Sequence, residues 1–162
     1  MTIDELIAIL EEKRDRGAVA APPVALAMAD TFKDHLKTVT LRRSFAAPGQ
    51  FGTPAPPGGP PAWRTGALAT AVTSWPGATG GMRATASSGP HTIYDWVQEY
   101  GAVLRPSHFK YMHWRNSGGE WWKKRVKLPP RPYMEPAVDD IIADGSLQRN
   151  AIAAFVSVVG PW

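Results

Sequence analysis

Histidines at positions 35, 91, 108 and 113 are the side chains best suited to bind a metal or to act as a general base near neutral pH. No two of them have the spacing of helical metal ligands. His108 and His113 sit at positions that face opposite sides of a strand. They read as polar surface or partly buried groups. Ser88, His91 and Asp95 contain the residue types of a hydrolytic triad, but all three lie in one short segment without a nucleophile elbow. Gly77, Gly80 and Gly81 are not followed by a helix carrying a Lys-Ser or Lys-Thr pair, so they read as a turn and not as a phosphate cradle. Glu135, Asp139, Asp140 and Asp144 form an acidic face near the start of the last helix, where the macrodipole favours negative charge. A chain without cysteine has no thiolate ligand or nucleophile. With no converging acid, base and nucleophile, the sequence predicts no enzyme activity, no metal and no cofactor.

A denser constellation lies further along. Arg105, Lys110, Arg115, Lys123, Lys124, Arg125, Lys127 and Arg131 are opposed only by Glu120, and Phe109, Tyr111, Trp114, Trp121 and Trp122 are interleaved with them. Cations among stacking rings suit a surface that binds phosphates and bases. The same residue types are enriched at protein interfaces, where a projecting hairpin packs its Trp residues on a neighbour. Both readings stand on these residues, the interface being the stronger.

The elements that must position these residues follow from composition and periodicity. The chain has 162 residues, 18 Lys+Arg against 14 Asp+Glu, 15 Gly and 16 Pro, which suits a single α+β domain spanning 1–162. Its acidic first residues do not read as a secretory signal. Its longest apolar stretch, Ala151 to Val159, is about half of what a membrane span needs, so a soluble chain of the cytoplasm with no membrane partner is expected.

Thr2-x-x-Glu5, then Ile3, Leu6, Ile7, Ile9 and Leu10, predict a capped amphipathic helix over about 3–15 with Gly17 as its stop. Pro22-Pro23 and the apolar series Val24, Met28, Phe32 and Leu36 predict a second helix. Alternation at Val39, Leu41 and Phe45 predicts a strand after it. Residues 47–61 are too rich in Pro and Gly for regular structure and read as an exposed arm. A helical turn leading into a strand over Ala67 to Trp75, a turn at 77–81 and a returning strand from Met82 make one hairpin. Residues 94–100 are ambiguous between helix and strand. A second hairpin is expected over about 108–128, turning at 116–119. From Val138 onward the register is helical, as one long helix or as two broken at Gly145.

Three segments in this order resemble a known family. Pro60-Pro61-Ala62-Trp63-Arg64-Thr65-Gly66-Ala67-Leu68 looks like the proline-then-Arg-Thr-Gly-x-Leu segment of the tail-completion, or head-tail joining, proteins of long-tailed bacteriophages, the group that includes Z-type minor tail proteins. Tyr94-Asp95-Trp96-Val97-Gln98-Glu99-Tyr100-Gly101 resembles the family's Tyr-Ala-x-x-x-Glu-Phe-Gly segment. Pro130-Arg131-Pro132-Tyr133-Met134-Glu135-Pro136-Ala137 resembles its Pro-Arg-Pro-Phe-Leu-x-Pro-Ala entry into a C-terminal helix.

The resemblance implies an α+β subunit: an antiparallel sheet with two N-terminal helices, a C-terminal helix and one long Pro/Gly-rich loop. Such subunits form a ring, commonly hexameric, in the neck of the virion. They complete the tail and join it to the head around the DNA passage, without catalysis. The implied partners are other copies of the chain, the neighbouring neck, tail-terminator or tail-tube proteins and the head-completion protein. Assembly would take place in the cytoplasm of the bacterial host. Interface contacts are then expected at Arg64, Thr65, Gly66, Glu99, Tyr100, Gly101, Trp114, Trp121, Trp122, Arg131 and Tyr133, and DNA-phosphate contacts at Lys123, Lys124, Arg125 and Lys127. The 47–61 arm and the 108–128 hairpin are the additions expected to dock partners. The alternative is a small basic nucleic-acid-binding protein that uses the hairpin.

Overall fold

The computed structural model describes residues 3–41, 58–61, 66–116 and 119–160. It mixes helix and strand: a long N-terminal helix, three small antiparallel sheets and a C-terminal helical pair.

Helix α1 runs from Ile3 to His35 without a break, where the sequence predicts two helices. Pro22 and Pro23 lie inside it and remove two backbone donors, at a cost of about 3 kcal/mol for each interior proline. The flanking alanines are the strongest helix formers, and tertiary packing against the C-terminal helix and the first hairpin holds the rod together. Gly17 does not stop the helix. It is buried where the hairpin tip lies against α1, and a Cβ there would meet the end of Met82 at 3.4 Å, an ordinary contact.

The strand expected from Val39 is replaced by a π-helical turn at Leu36–Thr40, closed by the Leu41 N–H donating to the Leu36 carbonyl at 3.0 Å. The wider turn places Leu36 and Leu41, five residues apart, in the core together. Phe45, the last residue of that expected strand, lies outside the described residues.

Gly66, at φ +74°, opens the short helix α2 (Ala67–Thr70). Strands β1 (Val72–Gly80) and β2 (Arg83–Pro90) pair antiparallel from Val72↔Pro90 to Gly80↔Arg83, with an irregularity after Pro76. The turn is thus at Gly81-Met82, later than expected, and Gly77 stays within the strand. This hairpin lies along α1, joined to it by a hydrogen-bonded group of Asp30, Lys33 and Ser74. Those two hydrogen bonds hold the Asp30 carboxyl below the usual carboxylate range.

Residues 95–100 form helix α3 (Asp95–Tyr100), followed by β3 (Ala102–Leu104). The expected 108–128 hairpin divides. Strands β4 (Met112–Asn116) and β5 (Gly119–Lys123) pair with each other, whereas β6 (Val126–Leu128) pairs with β3. The single antiparallel sheet is therefore replaced by three separate two-stranded ones. Helices α4 (Met134–Ala143) and α5 (Ser146–Val159) are separated at Gly145, whose φ of +70° suits glycine at a helix end. The Asp144 carboxylate accepts the Ser146 N–H at 2.7 Å and so begins α5.

The core gathers Leu36, Leu41, Ala69, Val72, Tyr133 and Ala137, with Phe32, Leu68 and Met134 packed against them. Helix α5 runs antiparallel to α1, from Asn150 bonded to Thr31 at 2.8 Å to the Val159 carbonyl opposite Arg16 at 3.4 Å.

Candidate interaction surfaces

The three segments that carry the resemblance meet one another. Leu68 and Ala69 pack in the core with Tyr133, Met134 and Ala137, and α3 closes over the chain just before α4. The backbone N–H groups of Tyr133 and Met134 both donate to one oxygen of the Glu99 carboxylate, at 2.9 and 3.3 Å. A helix start leaves such donors without partners, and Tyr133 brings no side-chain cap of its own. Glu99, 8% exposed, supplies from a distant segment the negative charge that the helix dipole favours there.

Gly101 follows with φ +74° and ψ 169°, a conformation open essentially to glycine. An added Cβ would lie 2.7 Å from the Leu128 carbonyl oxygen and 2.8 Å from the Pro130 nitrogen. The Arg131 N–H donates to the Gln98 carbonyl at 2.7 Å, and Gly58 donates to the Pro130 carbonyl at 3.1 Å. Of the expected 47–61 arm, residues 58–61 are described: Gly58 is tied to this seam and Pro61 is buried. The other residues of the arm lie outside the described set.

Tyr133 is fully buried, and its hydroxyl has no hydrogen-bond partner among the described residues. Burial, reinforced by the nearby Glu99 charge, pushes its phenol pKa well up and keeps it neutral. Among the interface residues expected from sequence, Glu99, Gly101 and Tyr133 are thus engaged inside the subunit, and Gly66 shapes the entry to α2. Arg131 is half-buried beside them. Arg64 and Thr65 lie outside the described residues.

The others face outward. Tyr100 is 78% exposed and follows Trp96 by one helical turn on α3, with exposed Ile93 in the turn before it. Trp121 and Trp122 are exposed on β5. Trp122 stacks on the His113 ring, with centroids 4.1 Å apart, and His113 lies 3.7 Å from Glu120. Trp114 pairs through its backbone with Trp121, and its side chain is outside the description. Lys110 and Lys124 both approach the Tyr111 ring, at 5.8 and 5.9 Å from its centroid.

Lys123, Lys124, Arg125 and Lys127 are all exposed, but they do not share one strand. Lys123 ends β5, the next two bridge a gap, and Lys127 lies on β6 opposite Val103. Strands β4 and β5 pack substantially on each other alone among the described elements.

His35 approaches Asp140 at 3.4 Å, and His91 lies against Trp75 with ring centroids 4.5 Å apart. Among the described residues no group of three or more His, Asp or Glu is placed to hold a metal ion. No described helix is long and apolar enough to cross a membrane.

One surface escaped the sequence reading. Ile3, Ile7, Ile9 and Leu10, expected as the apolar residues of an amphipathic helix, stand 41–78% exposed on the first turns of α1. The sequence carries no signal for this, because it predicts a helix over 3–15 only, and the uncovered stripe follows from one continuous 33-residue rod. Comparison with protein-family models, with curated proteins and with solved structures gives no match for this chain.

Proposed function

We propose that this chain is a non-enzymatic structural subunit of a long-tailed bacteriophage virion. Copies of it would form a ring in the neck, commonly sixfold, that completes the tail and joins it to the head around the DNA passage. Its neighbours are then copies of itself, tail-terminator or tail-tube proteins on one side and the head-completion protein on the other. Two things support the reading: the ordered resemblance of the three motif segments, and the distribution of apolar surface.

The second carries more of the argument. Among the described residues, the buried hydrophobic side chains larger than alanine are Leu36, Leu41, Val72, Val97, Tyr133 and Ile141. Large hydrophobic residues stand exposed from Ile3 to Val158, with Ile93, Tyr100 and Phe109 each 78% exposed or more. Such surface on a subunit with a small core belongs against other subunits. A structural subunit works through these contacts and through closure of the ring they build.

The test is removal of the gene from its phage, followed by negative-stain imaging of the lysate. The reading expects DNA-filled heads beside separate tails. Normal virions, or empty heads, would overturn it.

A nucleic-acid-binding role is favoured by one observation, the exposed cations of residues 123–127 beside exposed aromatic rings. Its mark would be DNA affinity that falls steeply with added salt.

A further inference from the structure

Two parts of the molecule project beyond the packed elements with apolar side chains in the open, and they carry opposite charge. The first is the start of α1. Helix α5 ends opposite Arg16, and the β1–β2 tip reaches α1 at Gly17. From residue 3 to residue 16 every side chain described is exposed, Leu6 being outside the description. At 1.5 Å per residue this stalk is about 20 Å long. Ile3, Ile7 and Leu10 form one stripe along it, and at 3.6 residues per turn Asp4, Glu11 and Asp15 fall along one flank of that stripe. Over 3–16, Asp4, Glu5, Glu11, Glu12 and Asp15 outnumber Lys13, Arg14 and Arg16.

The second projecting part is the β4–β5 hairpin. Its five-residue strands span about 17 Å, close to the length of the stalk. Trp121 and Trp122 are 42% and 59% exposed on it, and Phe109, just before it, is 81% exposed. Lys110, Arg115, Lys123, Lys124 and Arg125 are opposed by Glu120 alone. A two-stranded ribbon is marginal by itself in water, and the stalk leaves its apolar stripe in solvent, so both elements gain from being covered.

We propose that the α1 stalk of one copy docks on the β4–β5 hairpin of the next, head to tail. The apolar stripe meets one Trp face of the ribbon, Trp121 and Trp122 lying on opposite sides of β5, and the acidic flank meets the lysines at the end of that strand. The two surfaces lie on different parts of one subunit, so the contact is heterologous and repeats from copy to copy. The phosphate backbone of DNA would serve the hairpin but repel the acidic stalk, whereas a second copy occupies both. The contact stands on these two surfaces. It relies on the ring reading only for what the repeated contact builds.

The absence of cysteine makes the test clean, because introduced thiols are the only ones present. Arg14→Cys and Lys123→Cys proteins, mixed and oxidised, should cross-link with each other far more than either does alone. Sedimentation of the full chain should show self-association that weakens with salt. Ile7→Asp and the double variant Lys123→Glu/Lys124→Glu should each weaken it by about tenfold or more. Adding Glu11→Lys/Asp15→Lys to the lysine-reversed protein should restore it, which a merely misfolded variant would not allow.

Arg14→Cys proteins that cross-link chiefly with themselves would overturn the head-to-tail contact in favour of helix pairing. A wild-type chain that stays monomeric up to ~1 mM would overturn it as well. So would hairpin variants that lose DNA affinity while associating like wild type. Those results bear on the contact, while the gene-removal phenotype bears on the neck reading, so either can fail alone.

Discussion

The seam where α3 meets the entry to α4 and the β4–β5 hairpin are near neighbours in the chain, and both are rich in aromatic and charged residues. They use them in opposite ways. In the seam, Glu99 and Tyr133 are buried, and the carboxylate satisfies two backbone donors. In the hairpin the described rings and cations are exposed, and the strands pair chiefly with each other. Aromatic or charged identity therefore does not decide whether a residue serves the fold or a partner. Its burial and its hydrogen-bond partners decide that: the motif segments hold the subunit together, while the hairpin and the α1 stalk carry exposed side chains.

The sharpest way to break this division is Gly101→Ala. The added Cβ meets the Leu128 carbonyl and the Pro130 nitrogen in a conformation that L-residues avoid, so unfolding in denaturant should show a loss of about 3 kcal/mol. Glu99→Ala leaves two donors at the start of α4 without their acceptor, and about 2 kcal/mol should be lost in the same assay. Tyr133→Phe acts in the other direction. Because the buried hydroxyl has no partner among the described residues, its removal should leave stability unchanged or raise it by up to about 1 kcal/mol, read as a thermal midpoint that does not fall. Smallest of all is Trp122→Ala, expected within about 0.5 kcal/mol of wild type in stability because the ring is exposed. Its effect should appear in sedimentation, as weakened association. Should Trp122→Ala unfold the chain while Glu99→Ala leaves it unmoved, the division between the two regions would be wrong.

Local patterns in the sequence anticipate local structure well. The alternation in β4 and β5, the glycine break between α4 and α5, and the helical character of residues 138–159 all follow from nearest-neighbour periodicity. What depends on distant partners does not. Pro22-Pro23 reads as a helix start, yet packing along α5 and the first hairpin carries α1 straight through it. Val126 and Leu128 read as the end of a hairpin, but they pair with a three-residue strand too short to leave a pattern. Glu99, expected at an interface from the resemblance, accepts hydrogen bonds from residues 34 and 35 positions downstream, a separation that local periodicity does not report. Ile3, Ile7 and Leu10 read as part of an amphipathic helix, and periodicity reports a stripe without reporting what covers it. The exposed basic and aromatic residues of the hairpin were legible as a candidate site, since their excess over acidic neighbours is a property of composition alone.

The proposed place of this chain in the virion can be seen by labelling. Gold-conjugated antibody against this chain, applied to intact particles and imaged by electron microscopy, should mark the junction between head and tail. Label spread over the capsid or along the tail tube, or particles that contain none of the chain, would contradict it.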